Sequence, residues 1–106
     1  MWSEVITIYR KHAGRVERIV AENCHIEAKV ERIKTVMGER EQQSCSFFIP
    51  GAAPVYPGDR VVAGVGFEVY DWAQVNEDHI PGLVELTYTK PYFCHGKLHH
   101  TEAHNR

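Results

Sequence analysis

The histidines near the carboxyl end are the residues best suited to chemistry, because imidazole both binds metals and transfers protons. If this segment were helical, His95 and His99 would share one face at a spacing that can hold a metal ion. On a strand, His100, Glu102 and His104 would line one face instead. Neither arrangement contains the CxxC or HExxH spacing of a convincing site. We therefore predict no metal site. The alternative is a small metal-binding β-barrel enzyme that uses His95, His99, His100 or His104.

The three cysteines, Cys24, Cys45 and Cys94, are an odd number at irregular spacing, which argues against a disulfide framework. Two of them precede a histidine, as Cys24-His25 and Cys94-His95. Adjacent side chains on a strand point to opposite faces, so this adjacency does not predict a thiolate–imidazolium pair.

The chain also lacks a G-x-S-x-G elbow, a P-loop and a G-x-G-x-x-G turn. We predict no catalytic residue, no enzymatic activity and no cofactor.

The overall composition is that of one globular domain spanning residues 1–106. Hydrophobic residues make up 43% of the chain and charged residues 25%, which are ordinary values. The formal net charge of −2 argues against a general nucleic-acid binder, because such proteins contact many phosphates through Lys and Arg. No apolar run approaches the roughly 20 residues of a membrane span, so we predict no membrane partner.

Two apolar runs in the middle of the chain are predicted to be its central strands, at about 45–49 and 60–65. Pro50 should end the first strand, because proline cannot donate a backbone hydrogen bond to a neighbouring strand. Gly58 after Pro57 suits the third position of a type II turn, where φ is positive. The other apolar runs are expected to pair onto these two strands.

The remaining runs predict further short strands. Residues 2–9 are apolar on both alternating faces, which indicates a strand that is buried on both sides. Residues 15–20 and 24–30 are interpreted as a pair of strands with a turn at Glu22-Asn23, and 83–88 and 97–101 as later strands. Asp71 can cap a short helical turn. Residues 102–106 are expected to form a flexible tail.

A charged segment, residues 31–44, interrupts this series of strands and is predicted to be a long inter-strand loop. Connections of this length in a small domain are often binding or gating segments. The fold class that follows is mainly β: a small β-barrel with a long inter-strand loop and at most one short helix. The charged residues proposed for the loop are Glu31, Arg32, Lys34, Glu39, Arg40 and Glu41.

Trp2 and Trp72 are the two tryptophans, one beside the amino terminus and one in a polar connection. Tryptophan is enriched among the residues that dominate binding energy at protein interfaces. We therefore expect these two side chains to be interface anchors, whereas core packing explains most of the other aromatic residues.

Four segments, in this order, resemble those of a known family. They are Val5-Ile6-Thr7-Ile8-Tyr9-Arg10, Arg18-Ile19-Val20-Ala21-Glu22-Asn23-Cys24-His25-Ile26, Ser46-Phe47-Phe48-Ile49-Pro50 and Pro57-Gly58-Asp59-Arg60-Val61-Val62-Ala63-Gly64. The family is that of the small head–tail connector, or head-completion, proteins of tailed bacteriophages, also called minor capsid proteins. The resemblance covers about residues 4–66, with a weaker echo at 96–101.

The resemblance implies a barrel of the stopper type, which forms a ring below the portal and adaptor, closes the DNA-filled capsid and docks the tail. In such proteins the loop after the second barrel strand points into the DNA channel, a position that falls here on residues 31–44. The loop would meet double-stranded DNA without sequence specificity, or the loops of neighbouring subunits. A mildly acidic protein suits a conduit through which DNA slides without sticking.

The implied partners are further copies of the chain in a ring of about twelve or six subunits, the portal or adaptor, and tail proteins. The implied location is the head–tail junction of the virion, after assembly in the cytoplasm of a bacterial host. A tail terminator or an adaptor of the same junction is the alternative within this class.

Overall fold

The computed structural model describes residues 2–51 and 53–105. The protein is mainly β, which confirms the predicted fold class. Its elements are β1 (Glu4–His12), β2 (Arg15–Thr35), β3 (Gly38–Pro50), β4 (Arg60–Ala63), a 3-10 turn (Trp72–Gln74), β5 (Val84–Glu85), β6 (Tyr88–Cys94) and β7 (Lys97–His104).

The seven strands form one curled sheet, a half-barrel, in the order β5-β4-β1-β2-β3-β7-β6. All pairings among the described strands are antiparallel. The two predicted central strands are β3 and β4. Four of the other strands pair onto them, because β2 and β7 flank β3 and β1 and β5 flank β4, whereas β6 pairs with β7.

Strand β1 is buried on both faces, as its sequence predicts. Ile6 and Ile8 point into the main core with Phe47 and Ile49 of β3. Tyr9 belongs to a second cluster on the opposite face, which the connection between β4 and β5 covers with residues such as Val75. Full burial of each such aliphatic side chain contributes about 1.5–3 kcal/mol, so the two clusters fix β1 between the sheet interior and this connection.

Thr7 is a buried polar residue of β1, and its hydroxyl is satisfied on both sides. The hydroxyl donates to the carbonyl of Gly64 at 2.7 Å and accepts from the amide of Gly66 at 2.8 Å. Tyr9 in turn donates to the carbonyl of Phe67 at 2.7 Å. These bonds attach residues 64–67 to β1 in a bent path. Residues 67–70, which follow this bend, are not a strand.

Three turns of the chain place a glycine at a positive-φ position. Ala13-Gly14 and His95-Gly96 have positive φ at both positions and close two-residue hairpins, which matches the right-handed twist of the flanking strands. Gly58 has φ +93°, and the amide of Asp59 donates to the carbonyl of Tyr56 at 3.2 Å. The predicted turn at residues 56–59 is thereby confirmed.

Strand β2 is one long strand rather than the predicted pair of strands. Asn23 has φ +59°, and the register with β1 shifts between Glu4 and Ile6. The predicted turn at Glu22-Asn23 is therefore a β-bulge, which bends a strand without ending it. On the amino-terminal side of the bulge β2 pairs with β1, and beyond it β2 pairs with β3.

Two further predictions were wrong. Residues 31–44 are not a loop: the structure places 31–35 in β2 and 38–44 in β3, with Val36-Met37 as the turn between them. Residues 102–104 are not part of a flexible tail, because β7 continues to His104 between β3 and β6. Ala103 is fully buried there against Phe47, and this packing holds the strand end in place.

Candidate interaction surfaces: a free hairpin arm and an aromatic face

Beyond the body of the sheet, β2 and β3 continue as a two-stranded ribbon, residues 29–44, called the arm below. Strand β7 accompanies β3 only from Ser46 to Pro50, and β1 accompanies β2 only as far as Cys24. Among the pairings that the structure describes, no third strand lies beside the arm. Each arm strand has seven residues, and a rise of about 3.3 Å per residue gives a projection of about 23 Å.

The projection is visible in the dimensions of the molecule. The radius of gyration is 14.8 Å, whereas a compact domain of this length has about 13 Å. The longest dimension is 46 Å and the shortest 23 Å. The chain is therefore a small half-barrel with an extension, and the extension contains the charged segment, residues 31–44, that is predicted to contact partners.

The arm carries opposite charges at facing positions of its two strands. The register places Arg32 opposite Glu41 and Lys34 opposite Glu39, and all four side chains are exposed. Opposite charges that face each other across an antiparallel pair contribute about 0.2–1 kcal/mol. The charge pattern thus supports a hairpin in which none of the described side chains is buried.

The other two charged residues predicted for this segment are Glu31 and Arg40. They lie opposite Gln42 and Ile33 in the register, and their side chains are outside the described residues. Of the six predicted residues, three are basic and three are acidic. The set is therefore electrically neutral, and the structure brings all six positions together on one ribbon.

The tip of the arm is apolar and almost completely exposed. Val36 and Met37 have relative accessibilities of 106% and 97%. The hydroxyl of Thr35 donates to the carbonyl of Gly38 at 2.8 Å and accepts from the amide of Met37 at 3.3 Å, which closes the turn. These two apolar residues are not among those predicted to contact a partner. The sequence did contain one signal for the end of a hairpin: Gly38 lies between basic residues on one side and acidic residues on the other, at matching distances from the tip.

Trp2 lies in a cluster of ring side chains on the outer face of the sheet. It contacts His25, Phe48 and His100 at centroid distances of 5.6–6.0 Å, and Tyr92 stacks on His100 at 4.7 Å. All five side chains are half-buried. The register explains the cluster, because His25 pairs with Phe48 and Tyr92 pairs with His100 across adjacent strands. We call these five residues the aromatic face.

Trp72 serves packing within the chain. It is half-buried against the second cluster, and the guanidinium of Arg60 lies 4.5 Å above its ring. Arg60 also donates to the carbonyl of Val75, at the end of the 3-10 turn that Asp71 caps. The capped turn confirms the short helical element predicted at this place. The role of an interface anchor remains a prediction for Trp72 and fits Trp2 better.

The carboxyl-terminal histidines follow the strand arrangement, not the helical one. His95 is in the β6–β7 turn, and His100, Glu102 and His104 alternate along β7. His104 contacts Glu102 at 2.9 Å, and the Nδ1 atoms of His99 and His100 are 2.8 Å apart. No group of three or more metal-binding side chains forms within the part of the chain that the structure describes.

The three cysteines occupy different environments and are all free thiols. Cys24 is buried in the main core, and its burial, together with the nearby charge of Glu4, raises the pKa of the thiol to about 11. A thiol with such a pKa is protonated at neutral pH and is a poor nucleophile. Cys45 is half-buried beside Asn105, and Cys94 is exposed at the end of β6.

An ion pair fixes the connection between β3 and β4. The guanidinium of Arg10 donates to both carboxylate oxygens of Asp59, at 2.9 Å and 2.6 Å, and also to the carbonyl of Pro54 at 2.9 Å. Asp59 is almost fully buried and accepts the amide of Tyr56 at 2.9 Å as well. The hydrogen bond with Asp59 raises the pKa of Arg10, so the guanidinium stays charged and the turn at 56–59 stays closed.

Comparison of the chain with protein-family models, with curated protein sequences and with solved structures finds no match. Within the described residues, no helix has the length and apolar character needed to cross a lipid bilayer.

Proposed function

We propose that this protein is a structural component of a tailed-phage virion, a ring-forming connector at the head–tail junction. The observation that carries the proposal is the arm, residues 29–44, which projects from a small half-barrel. Among the described residues, no third strand pairs with either edge of the arm, and no arm side chain is buried. The ordered resemblance of residues 4–66 to head-completion proteins supports the same assignment.

The arm is best explained as a segment that contacts other molecules. A two-stranded ribbon without a third strand or a packed face is marginally stable by itself in water. Val30, which lies on the face that continues the core side of the hairpin, is 65% exposed, and the tip residues are fully exposed. Partners that cover the arm would remove this apolar surface from water, as neighbouring subunits do in a ring.

The charges of the arm suit a position beside moving DNA. A protein that neutralises many phosphates binds DNA tightly, with an affinity that falls steeply with salt concentration. The arm has seven charged residues, which are Lys29 and the six predicted ones, and their charges sum to only +1, while the whole chain has a net charge of −2. An arm of this kind can line a channel without holding the duplex, which is what passage of a genome requires.

Localisation tests the proposal directly. Tailed particles are purified from the bacterium that encodes the chain, and the head–tail junction is reconstructed by cryo-electron microscopy. The expected result is a ring of copies of the half-barrel between the portal or adaptor and the tail. Particles that contain no copy at this junction would refute the proposal, and the position within the stack separates a stopper from an adaptor or a tail terminator.

A charge variant of the arm tests the contact with DNA. Glu39→Lys together with Glu41→Lys changes the six-residue set from neutral to a charge of +4. We expect the variant to bind double-stranded DNA measurably at low salt, with an affinity that falls as salt rises, while the native chain does not. The matched control is Glu68→Lys with Glu77→Lys, which adds the same charge at exposed positions outside the arm. Equal DNA binding by both variants would show that the arm has no special access to the duplex.

A further inference from the structure

An apolar groove lies on the inner face of the sheet beside its last strand, β6. It has a volume of about 260 Å³ and is lined by residues that include Pro54, Tyr56, Pro91, Phe93, Leu98 and Thr101. Tyr56 and Phe93 are 54% and 66% exposed. Because the half-barrel ends at β6, these side chains occupy the side that a closed barrel would cover. We call this surface the open groove.

We propose that the open groove receives the arm tip, Val36-Met37, of a second copy of this chain. The proposal rests on the proposed ring assembly and names the contact that would join one subunit to the next. It assigns one occupant to the groove, since the same chain carries an exposed apolar tip and an exposed apolar groove.

The tip cannot reach the groove of its own chain. Pro50, at the other end of β3 from the tip, pairs with His100 of β7, and Gly51 bonds to His99 close to Leu98. The groove therefore lies near the end of β3 that is remote from the arm. From Met37 to Ile49 the strand runs for twelve residues, which is about 40 Å at 3.3 Å per residue. The longest dimension of the molecule, 46 Å, agrees with this separation.

A tip at one end and a groove at the other make a head-to-tail contact. Such a heterologous contact closes into a ring when the rotation between copies allows it and otherwise continues as a filament. The groove volume exceeds the roughly 150 Å³ of an engineered apolar cavity that accepts benzene. Methionine adapts its unbranched side chain to irregular spaces, so Met37 is suited to fill it.

The charges around the two surfaces are complementary. Glu39 and Glu41 follow the tip along the β3 side of the arm, and both are exposed. The β6–β7 hairpin that forms the groove carries exposed Lys97 next to Leu98, whereas Lys90 lies over Tyr92 of the aromatic face, on the other side of the sheet. An arm that enters with its β3 strand toward this hairpin would place opposite charges beside each other.

Addition of the arm as an extra strand along β6 is less suitable than insertion of the tip. Pro91 lies in the middle of β6 and has no amide hydrogen, and proline on an edge strand blocks extension of the ladder. Contact through side chains in the groove does not need this hydrogen.

The area of the tip–groove contact indicates that it should be stable in a closed ring but not in a pair of chains. One face of an arm about 23 Å long and two strands wide, with strands about 4.8 Å apart, offers only a few hundred Å². A stable pair of proteins needs about 800 Å² from each partner. A single tip–groove contact is too small for a stable dimer, whereas in a closed ring every subunit both gives and receives an arm.

Crosslinking tests the contact at the high concentration that a weak interaction requires. Met37→Cys places a thiol at the tip, and the native Cys94 is exposed next to Phe93 of the groove. A short bismaleimide is expected to link residue 37 of one chain to Cys94 of another, as mapped by mass spectrometry. The matched control is Val65→Cys, whose position is 70% exposed and outside both surfaces.

We expect at least a tenfold higher yield of the 37–94 link than of links from residue 65. Adding Phe93→Asp, at a position exposed enough to tolerate the change, should lower the yield to that of the control. Equal yields, a yield unaffected by Phe93→Asp, or links mainly between two residues 37 would each overturn the proposal. If the protein is found at the head–tail junction without this contact, the inference fails alone; if the contact forms but no copy lies at the junction, the proposed function fails alone.

Discussion

Removal of the arm tests whether the half-barrel folds without it and whether assembly depends on it. Residues 30–43 are deleted, and Lys29 is joined to Ser44, its cross-strand partner, through Asn-Gly. Asn-Gly favours the two-residue type I′ turn, the same positive-φ geometry that Ala13-Gly14 adopts between β1 and β2. We expect the shortened chain to fold into the same half-barrel and to lose the ability to assemble.

The expected change in stability is small, because none of the core residues that the structure describes lies in the arm. The deletion removes a ribbon that contributes little free energy by itself. We expect the free energy of unfolding to change by about 1 kcal/mol or less, which corresponds to a shift in Tm of at most about 4–8 °C for a domain of this size. The radius of gyration should fall from 14.8 Å to about 12 Å.

Denaturant unfolding and small-angle X-ray scattering measure these two quantities. The matched control is a full-length chain with Lys34→Glu and Glu39→Lys, which exchanges the charges of one facing pair and keeps the arm. The control should retain the native radius of gyration. Loss of cooperative unfolding on deletion would refute the reasoning, because it would show that the arm supports the core. An unchanged radius of gyration would show that the arm does not project in solution.

Three further predictions concern the body of the protein. Asp59→Ala leaves the guanidinium of Arg10 without its carboxylate, and we expect a loss of about 3–5 kcal/mol in denaturant unfolding. Gly66→Ala forces a Cβ into the hydroxyl of Tyr9, and the expected loss is about 1–3 kcal/mol. Cys24, whose pKa is raised to about 11, should resist alkylation in the native protein at pH 8 and react fully after unfolding, as measured by mass spectrometry.

Each of these predictions has its own control. Asp78→Ala removes an exposed carboxylate and should change the stability by no more than about 0.5 kcal/mol; a loss equal to that of Asp59→Ala would disprove the role of the ion pair. Tyr9→Phe should recover part of the stability lost in Gly66→Ala, since it removes the clashing oxygen. The exposed Cys94 should be alkylated rapidly at pH 8, and equal rates at both cysteines would contradict the burial of Cys24.

The body of the fold follows from local signals in the sequence. Apolar residues on both faces of residues 5–9 predict a strand between two packed layers, and the structure shows this arrangement. Pro50 and the Pro57-Gly58 pair mark the strand end and the turn, because their backbone preferences leave few alternatives. Such predictions succeed because each depends on one residue type and its immediate neighbours.

The arm could not be recognised as a hairpin by the same reasoning. No described side chain of its strands is buried, and its sequence lacks the alternation of apolar and polar residues that identifies a strand. Its turn also lacks the Asn-Gly or Asp-Gly pair that signals a tight hairpin. The remaining signal was symmetry: Arg32 and Glu41, like Lys34 and Glu39, are equally distant from the tip. A loop was predicted because this signal appears only when the two halves are aligned with each other.

The end of β7 was missed for a different reason. Residues 102–104 contain two polar side chains around one alanine, which is typical of a tail that frays. Ala103 is nevertheless fully buried, in the same core cluster as Phe47, its partner on the neighbouring strand. This burial depends on β3, a strand more than fifty positions earlier in the chain. The residues around Ala103 therefore contain no local pattern that predicts it. The open groove is hidden from sequence for the same reason, since it joins residues 54–56 to β6 and β7.

The placement of exposed apolar surface favours association of this chain through particular surfaces rather than through its sheet edges. The sheet ends at β5, which has only two residues, and at β6, which contains Pro91; both features are known to discourage edge-to-edge pairing. The edges of the arm carry charged residues of both signs, which discourage it further. The large apolar side chains at the tip and in the open groove have no such protection. The sheet edges are thus protected against pairing, whereas the arm tip and the open groove are not. This difference favours association through the tip and the groove rather than through the edges of the sheet.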